Sequence, residues 1–148
     1  MIVNYTYTNF KYEEFEALNY TPQGTFTADY SGNKEPSIPS SILNFILEYK
    51  LELSESMTGL LLWDCDYISD MYVDDANSAI SAGYFFGNIM AGLTYNTEEF
   101  GVIFFLGSNN IFNNTYVGFI NINDYYGRYY NAGEPRNYSL GLNLSYKF

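Results

Sequence analysis

The 148-residue sequence contains no histidine. That excludes imidazole acid–base chemistry and the Ser-His-Asp type of triad, and it removes the commonest zinc ligand. Cys65 is the single cysteine, so an internal disulfide and a cysteine metal cluster are excluded as well. Basic residues are scarce: Lys and Arg total 6 against 17 Asp and Glu, for a formal net charge of −11. No nucleic-acid partner is expected, because a phosphate backbone is held by clustered Lys and Arg. Long apolar runs are missing too. The longest, residues 60–63 and 102–106, fall far short of the ~20 residues of a spanning helix. The first residues, 1–6, lack the basic and apolar regions of a secretory leader.

What the chain has is aromatic mass. Aromatics make up 20% of it, with 17 Tyr and 12 Phe, which argues against disorder. The length suits one domain. Alternation is the dominant pattern. Tyr138, Leu140, Leu142, Leu144, Tyr146 and Phe148 fall on one face, and Ser139, Gly141, Asn143, Ser145 and Lys147 on the other. A period of two over eleven residues means a strand with one apolar face. Val3, Tyr5 and Tyr7 repeat it, as do Leu43, Phe45, Leu47, Tyr49 and Leu51. So do Leu61, Trp63, Cys65 and Tyr67, and Phe85, Ile89, Ala91, Leu93 and Tyr95. Residues 100–112 are apolar on both faces, which leaves their facing open. Six strands are predicted, over about 2–12, 41–52, 58–72, 83–95, 99–112 and 137–148.

The connections alternate in length. Residues 52–57 and 96–99 are tight and polar, whereas 13–40, 73–82 and 113–136 are long and rich in Asn, Gly, Ser, Asp and Pro. Short turns at one end and long loops at the other mark an outer-membrane barrel sheet. Tyrosines near both strand ends suit aromatic girdles, although they also favour strands in general. The alternative is a soluble, acidic β-barrel or sandwich that binds a small apolar ligand. It leaves the one-sided long loops unexplained.

Four stretches carry a family resemblance. Residues 67–78, Tyr-Ile-Ser-Asp-Met-Tyr-Val-Asp-Asp-Ala-Asn-Ser, resemble a "Tyr-Val-Ser-x-x-Tyr…Asp-x-Ala-Asn-Ser" stretch near the end of TonB-dependent outer-membrane receptors. Residues 109–117, Asn-Asn-Ile-Phe-Asn-Asn-Thr-Tyr-Val, resemble their "Asn-Asn-Leu-Phe-Asp-x-x-Tyr-Val" element. Residues 32–39, Gly-Asn-Lys-Glu-Pro-Ser-Ile-Pro, match a "Gly-Asn-x-x-Pro-x-x-Pro" loop, and residues 133–148 resemble the final strand with its terminal aromatic. The resemblance implies an all-β, antiparallel, up-and-down segment: the last six strands of a 22-stranded transmembrane barrel. It implies a cell outer membrane of a Gram-negative bacterium, and uptake of iron-siderophore complexes, haem, cobalamin or similar scarce nutrients. The implied partners are outer-membrane lipid, the remaining strands and plug of a full receptor, and the barrel-assembly machinery. TonB would be reached only through the plug, which these residues do not contain. A start at Met1 then suggests a split or truncated reading frame, or a fragment not transport-competent alone. No enzyme activity and no cofactor are implied. Leu140, Leu142, Leu144, Tyr146 and Phe148 would form the assembly signal. The sequence departs from the pattern at Asn113, where Asp is usual, and at Asp66, where Arg is common. Met90, Ile103 and Phe105 would place apolar side chains toward the lumen.

Site candidates are few. Asp64, Asp66 and Asp70 line one polar face, with Asp74 and Asp75 beyond. Their spacing is not that of an EF-hand, and a solvated lumen or loop surface is the expected reading over a metal site. Asp64 with Asp66, about 7 Å apart on a strand, has nothing else to support a glycosidase-like pair. Arg128 and Arg136, the only arginines, flank the last long loop and suit an anionic ligand or a loop ion pair with Asp124 or Glu134. Tyr125, Tyr126, Tyr129 and Tyr130 either stack on a ligand or close that loop. Cys65 is expected to face lipid.

Overall fold

The computed structural model describes residues 1–147; Phe148 lies outside them. Twelve strands occur in the order β1 (Ile2–Tyr7), β2 (Glu16–Thr21), β3 (Gly24–Asp29), β4 (Ser41–Ser54), β5 (Met57–Ile68), β6 (Met71–Tyr72), β7 (Ile80–Ser81), β8 (Tyr84–Asn96), β9 (Phe100–Asn109), β10 (Val117–Ile120), β11 (Tyr130–Ala132) and β12 (Asn137–Tyr146). The chain is all-β, and no helix occurs among the described residues. Six strands form one antiparallel sheet in the order β1-β4-β5-β8-β9-β12, so each lies beside its neighbour along the chain. That is the up-and-down order expected from the sequence. The sheet is open, with β1 and β12 at its edges.

The expected boundaries ran too far at the loop end. The first strand stops at Tyr7, the third at Ile68 and the fifth at Asn109. The remainders of those segments join the long connections, which contain three small antiparallel ribbons, β2-β3, β6-β7 and β10-β11. These ribbons bury almost nothing along β2 and β3, so no clear apolar alternation announces them. The first turns at Pro22-Gln23, where Gly24 takes a φ of 136° that suits glycine. At the opposite end the links are short, as expected. Two residues, Glu55 and Ser56, join β4 to β5 after a shift of register between Glu52 and Ser54. Thr97 closes the β8–β9 turn, its N–H bonding the Phe100 carbonyl at 2.7 Å while its hydroxyl oxygen accepts from the Phe100 N–H at 3.0 Å.

Register decides which side chains share a face, because directly paired residues point the same way. Leu51 pairs with Gly59, Gly59 with Leu93, Leu93 with Phe104 and Phe104 with Leu142. The next row is Tyr49, Leu61, Ala91, Leu106 and Leu140. The pairs Val3–Phe45 and Tyr5–Leu43 add β1 to the same side. Every apolar set read from the alternation therefore lies on one face of one sheet. The pairing also settles β9: Phe100, Val102, Phe104 and Leu106 join that face, while Ile103 and Phe105 lie opposite.

No second layer covers this apolar face among the described residues; its side chains are exposed toward β12, Leu140 by 69% and Leu142 by 61%, and half-buried at Phe45, Leu61 and Trp63. Among the described residues the buried apolar ones are Cys65, Val73 and Ile120. The accessible surface is 10342 Å², whereas a folded globular monomer of 17.0 kDa exposes about 7,700 Å². Cys65 corrects the sequence reading in one respect. It lies on the apolar face but is buried: a Cβ on neighbouring Gly87 would sit 2.9 Å from the Phe112 ring and 3.0 Å from the Cys65 sulfur.

Candidate functional site

The chemistry collects at the loop end. Asp75 is the centre of a clasp between three connections. One carboxylate oxygen accepts the Tyr12 hydroxyl at 2.7 Å and the other accepts the Asn123 side-chain N–H at 2.7 Å. The Asp75 N–H donates to the Asn123 side-chain oxygen at 3.0 Å, and its carbonyl accepts from the Asn33 amide at 2.8 Å. Asn77 adds a reciprocal pair, accepting the Lys34 N–H at 2.9 Å and donating to the Lys34 carbonyl at 2.8 Å. Asp74 is buried and accepts the Ser78 N–H at 2.8 Å and the Ser78 hydroxyl. The Asp-Asp-Ala-Asn-Ser run thus fastens loops from three regions of the sequence.

A second knot centres on buried Asn110, whose amide donates to the carbonyls of Asn114 at 2.8 Å and Glu134 at 3.1 Å. Its N–H reaches the Asn88 side chain at 3.0 Å, and Asn88 donates to Asp64 at 2.7 Å. Asn77, Asn110, Asn113 and Asn123 all have positive φ, between 49° and 58°. Asn tolerates that region better than most residues. The Asn113 side-chain oxygen also accepts the Arg136 N–H at 3.4 Å. The abundance of Asn in the loops was the signal for these turns.

The structure separates the expected carboxylate row. Asp64 and Asp66 share the polar face, paired to Asn88 and Asn44. Asp70 lies beyond the end of β5 and is exposed. Among the described residues no group of acidic or thiol ligands is placed to hold a metal ion.

Neither arginine forms an ion pair among the described residues. Asp124 instead accepts the backbone N–H of Arg128 at 3.0 Å, and the Arg128 guanidinium lies 6.0 Å from the Tyr126 ring centre. Tyr125 and Tyr126 are exposed and meet edge to face at 5.2 Å. Tyr129 is half-buried, and Tyr130 is exposed but anchored at its hydroxyl. The Tyr130 hydroxyl donates to the Ile80 carbonyl at 3.1 Å, and Tyr129 lines a cavity with Asp74. Two cavities result. One, of about 410 Å³, is lined by Tyr129, Tyr30, Asn123 and the carboxylates of Asp74, Asp75 and Asp124. The other, of about 320 Å³, is lined by Tyr84, Tyr116, Tyr130, Val117 and small residues. Arg128 and Arg136 line neither. Sequence reasoning missed Tyr84, Phe86 and Tyr116, whose rings stack on the polar-face side. Tyr116 lies 4.8 Å from Tyr84 and 5.4 Å from Phe86 between ring centres.

Burial and the hydrogen bond to Asp75 push the Tyr12 hydroxyl well above the usual phenol range. Burial and the nearby Asp74 charge raise Tyr129. A raised tyrosine value means the clasp's contribution is complete below the unfolded value of about 10 and is lost as pH climbs toward the folded one. The loops are therefore expected to stay latched through neutral pH and to loosen in alkali. Tyr12→Phe should remove a tyrosine that ionises after the ordinary phase of a tyrosinate absorbance titration; a loss taken from the ordinary phase instead would contradict the clasp.

No family model matches the sequence. The fold, however, has solved counterparts. One is BauA, the ferric preacinetobactin receptor from Acinetobacter baumannii, with a TM-score of 0.69 and 17% sequence identity. The alignment covers 81% of this chain and 18% of that one. At this identity the likeness concerns the fold alone, and the chain spans less than a fifth of the receptor's length.

Proposed function

We propose that this chain is a section of the wall of a TonB-dependent outer-membrane receptor that takes up an iron-siderophore complex or a similarly scarce nutrient. The observation that carries the reading is the uncovered apolar face shared by all six strands of the large sheet. Phe85 and Tyr95 sit near its two ends on β8. They are ten residues apart, about 33 Å along the strand, or about 25 Å in height at a tilt of about 40°. That matches the lipid-facing band of such barrels. Tyr67 pairs with Phe85 at the loop end, and Phe100 with Tyr146 at the turn end, as interfacial aromatics would.

In this reading the apolar face meets outer-membrane lipid, and the face of Asn44, Asp64, Asp66 and Asn88 meets the lumen. The free edges of β1 and β12 meet the remaining barrel strands. The plug and, through it, TonB belong to the whole receptor. No catalysis and no cofactor are part of it. The soluble alternative needs a layer over the apolar face. Disrupting the region that encodes residues 41–146 is expected to abolish energised uptake of one nutrient. Unchanged uptake of iron chelates, haem and cobalamin would overturn the reading.

The assembly signal would run along Leu140, Leu142, Leu144 and Tyr146, which share the apolar face, to Phe148. A terminal strand presented to a sheet edge offers main-chain pairing plus alternate side chains. Deleting Phe148 from the intact receptor is expected to lower the amount inserted in the outer membrane and to leave uptake per inserted molecule nearly unchanged. Equal insertion would refute the assembly role.

A further inference from the structure

We propose that the cavity between Tyr84, Tyr116 and Tyr130 is a binding site for an uncharged small molecule that carries an aromatic ring. Its place is set by the loop end of β8 and by the β10–β11 ribbon. Ala82 and Ala132 leave the space open, and Tyr84, Tyr116 and Tyr130 supply ring surface. The volume of about 320 Å³ falls in the range of ligand pockets. No charged side chain lines it. A charged group entering this cavity would lose hydration with no ion to replace it, whereas an aromatic ring gains contact with the tyrosines.

The walls are held independently of any ligand. Tyr116 is fixed by its stack on Tyr84 and Phe86, and the close approach of its ring to Gly133 leaves no room there for a Cβ. Tyr130 is anchored through its hydroxyl to the Ile80 carbonyl. Gly83 packs so tightly on the backbone of residues 68–70 that an added Cβ would lie 2.8 Å from the Asp70 nitrogen and the Ile68 carbonyl oxygen. The pocket is thus largely pre-formed, which spares a ligand the cost of ordering it. The second cavity differs in kind: three carboxylates line it and no cation does. The two sites would not compete for one chemical class.

The inference rests on the cavity's chemistry and stands apart from the membrane assignment. The test uses the detergent-solubilised chain and saturation-transfer NMR with phenyl β-glucopyranoside, a ring carrier that stays in water. Methyl β-glucopyranoside supplies the sugar without the ring, and benzenesulfonate the ring with a charge. The phenyl glucoside is expected to bind through its ring protons, and the two controls more weakly by about tenfold or more. Ala132→Phe, which fills the space, should abolish binding. Tyr130→Ala should weaken it and Tyr130→Phe restore most of it, which separates a lost ring from a lost fold. No binding at millimolar probe, equal binding of either control, or full binding to Ala132→Phe would each overturn the proposal.

Discussion

In detergent-free buffer the 148-residue chain is expected to aggregate and give no sharp monomer peak. The surface supplies the reason. It exceeds that of a globule of equal mass by about 2,600 Å², and much of it is contiguous Leu, Phe, Ile and Tyr on one side of the sheet. Monomeric soluble proteins rarely expose apolar patches beyond a few hundred Å². The sheet edges add a second drive, because β1 and β12 are the outermost strands of the sheet among the described residues. Edges of ten and six residues are templates for pairing with any other chain. Size-exclusion chromatography with light scattering checks this. A monodisperse monomer that melts cooperatively without detergent would favour the soluble sandwich.

The second large effect is expected from charge placed on alternate residues of β12. Leu142 lies midway between Tyr138 and Tyr146 on the apolar face and pairs with Phe104; Asn143 points the other way and pairs with Ile103. If lipid covers the apolar face, Leu142→Arg puts a guanidinium near the bilayer midplane, at about 2–4 kcal/mol. That corresponds to a loss of about 30- to 700-fold in the folding equilibrium. On the same condition Asn143→Arg, on the opposite face, should cost little. The same two substitutions in a soluble sheet with a wet face would differ far less. The amount of each variant folded in outer membranes reads the contrast directly, and equal amounts would contradict the assignment of faces.

Much of the sheet was legible because a period of two leaves little freedom. Leu140, Leu142 and Leu144 can share a face only in a strand, and the short links at 55–56 and 97–99 left few ways to order the strands. The face of β9 was not legible. Val102, Ile103, Phe104 and Phe105 are all apolar, so only their partners distinguish them. Phe105 is tolerated on the polar face because Gly92 and Gly141 flank it, and its ring occupies the space above Gly141. That glycine pair was the available signal, and it appears only once register is known.

The loop site was harder to read. Asp75, Tyr12 and Asn123 lie 63 and 48 residues apart in pairs, and no local pattern joins them. The arginines drew attention by their scarcity, yet the structure uses the backbone N–H groups of Arg128 and Arg136. Of the four loop tyrosines, Tyr130 bonds the Ile80 carbonyl and Tyr129 lines a cavity with Asp74, whereas Tyr125 and Tyr126 are the most exposed. The tyrosine run was therefore both a closure and a free surface. Tyr116, the ring around which the apolar cavity forms, stood inside the Asn-rich element and carried no separate signal.

The central claim is that one face of this sheet meets lipid. The most direct test labels whole outer membranes carrying the protein with a photoactivated carbene reagent confined to the lipid phase, and maps the adducts by mass spectrometry. Labels are expected on Ile89, Ala91 and Leu93 of β8 and on Leu140, Leu142 and Leu144 of β12, with Asn88, Met90, Ser139, Gly141 and Asn143 spared. Labels spread over both faces, or a protein recovered unlabelled in the soluble fraction, would contradict it.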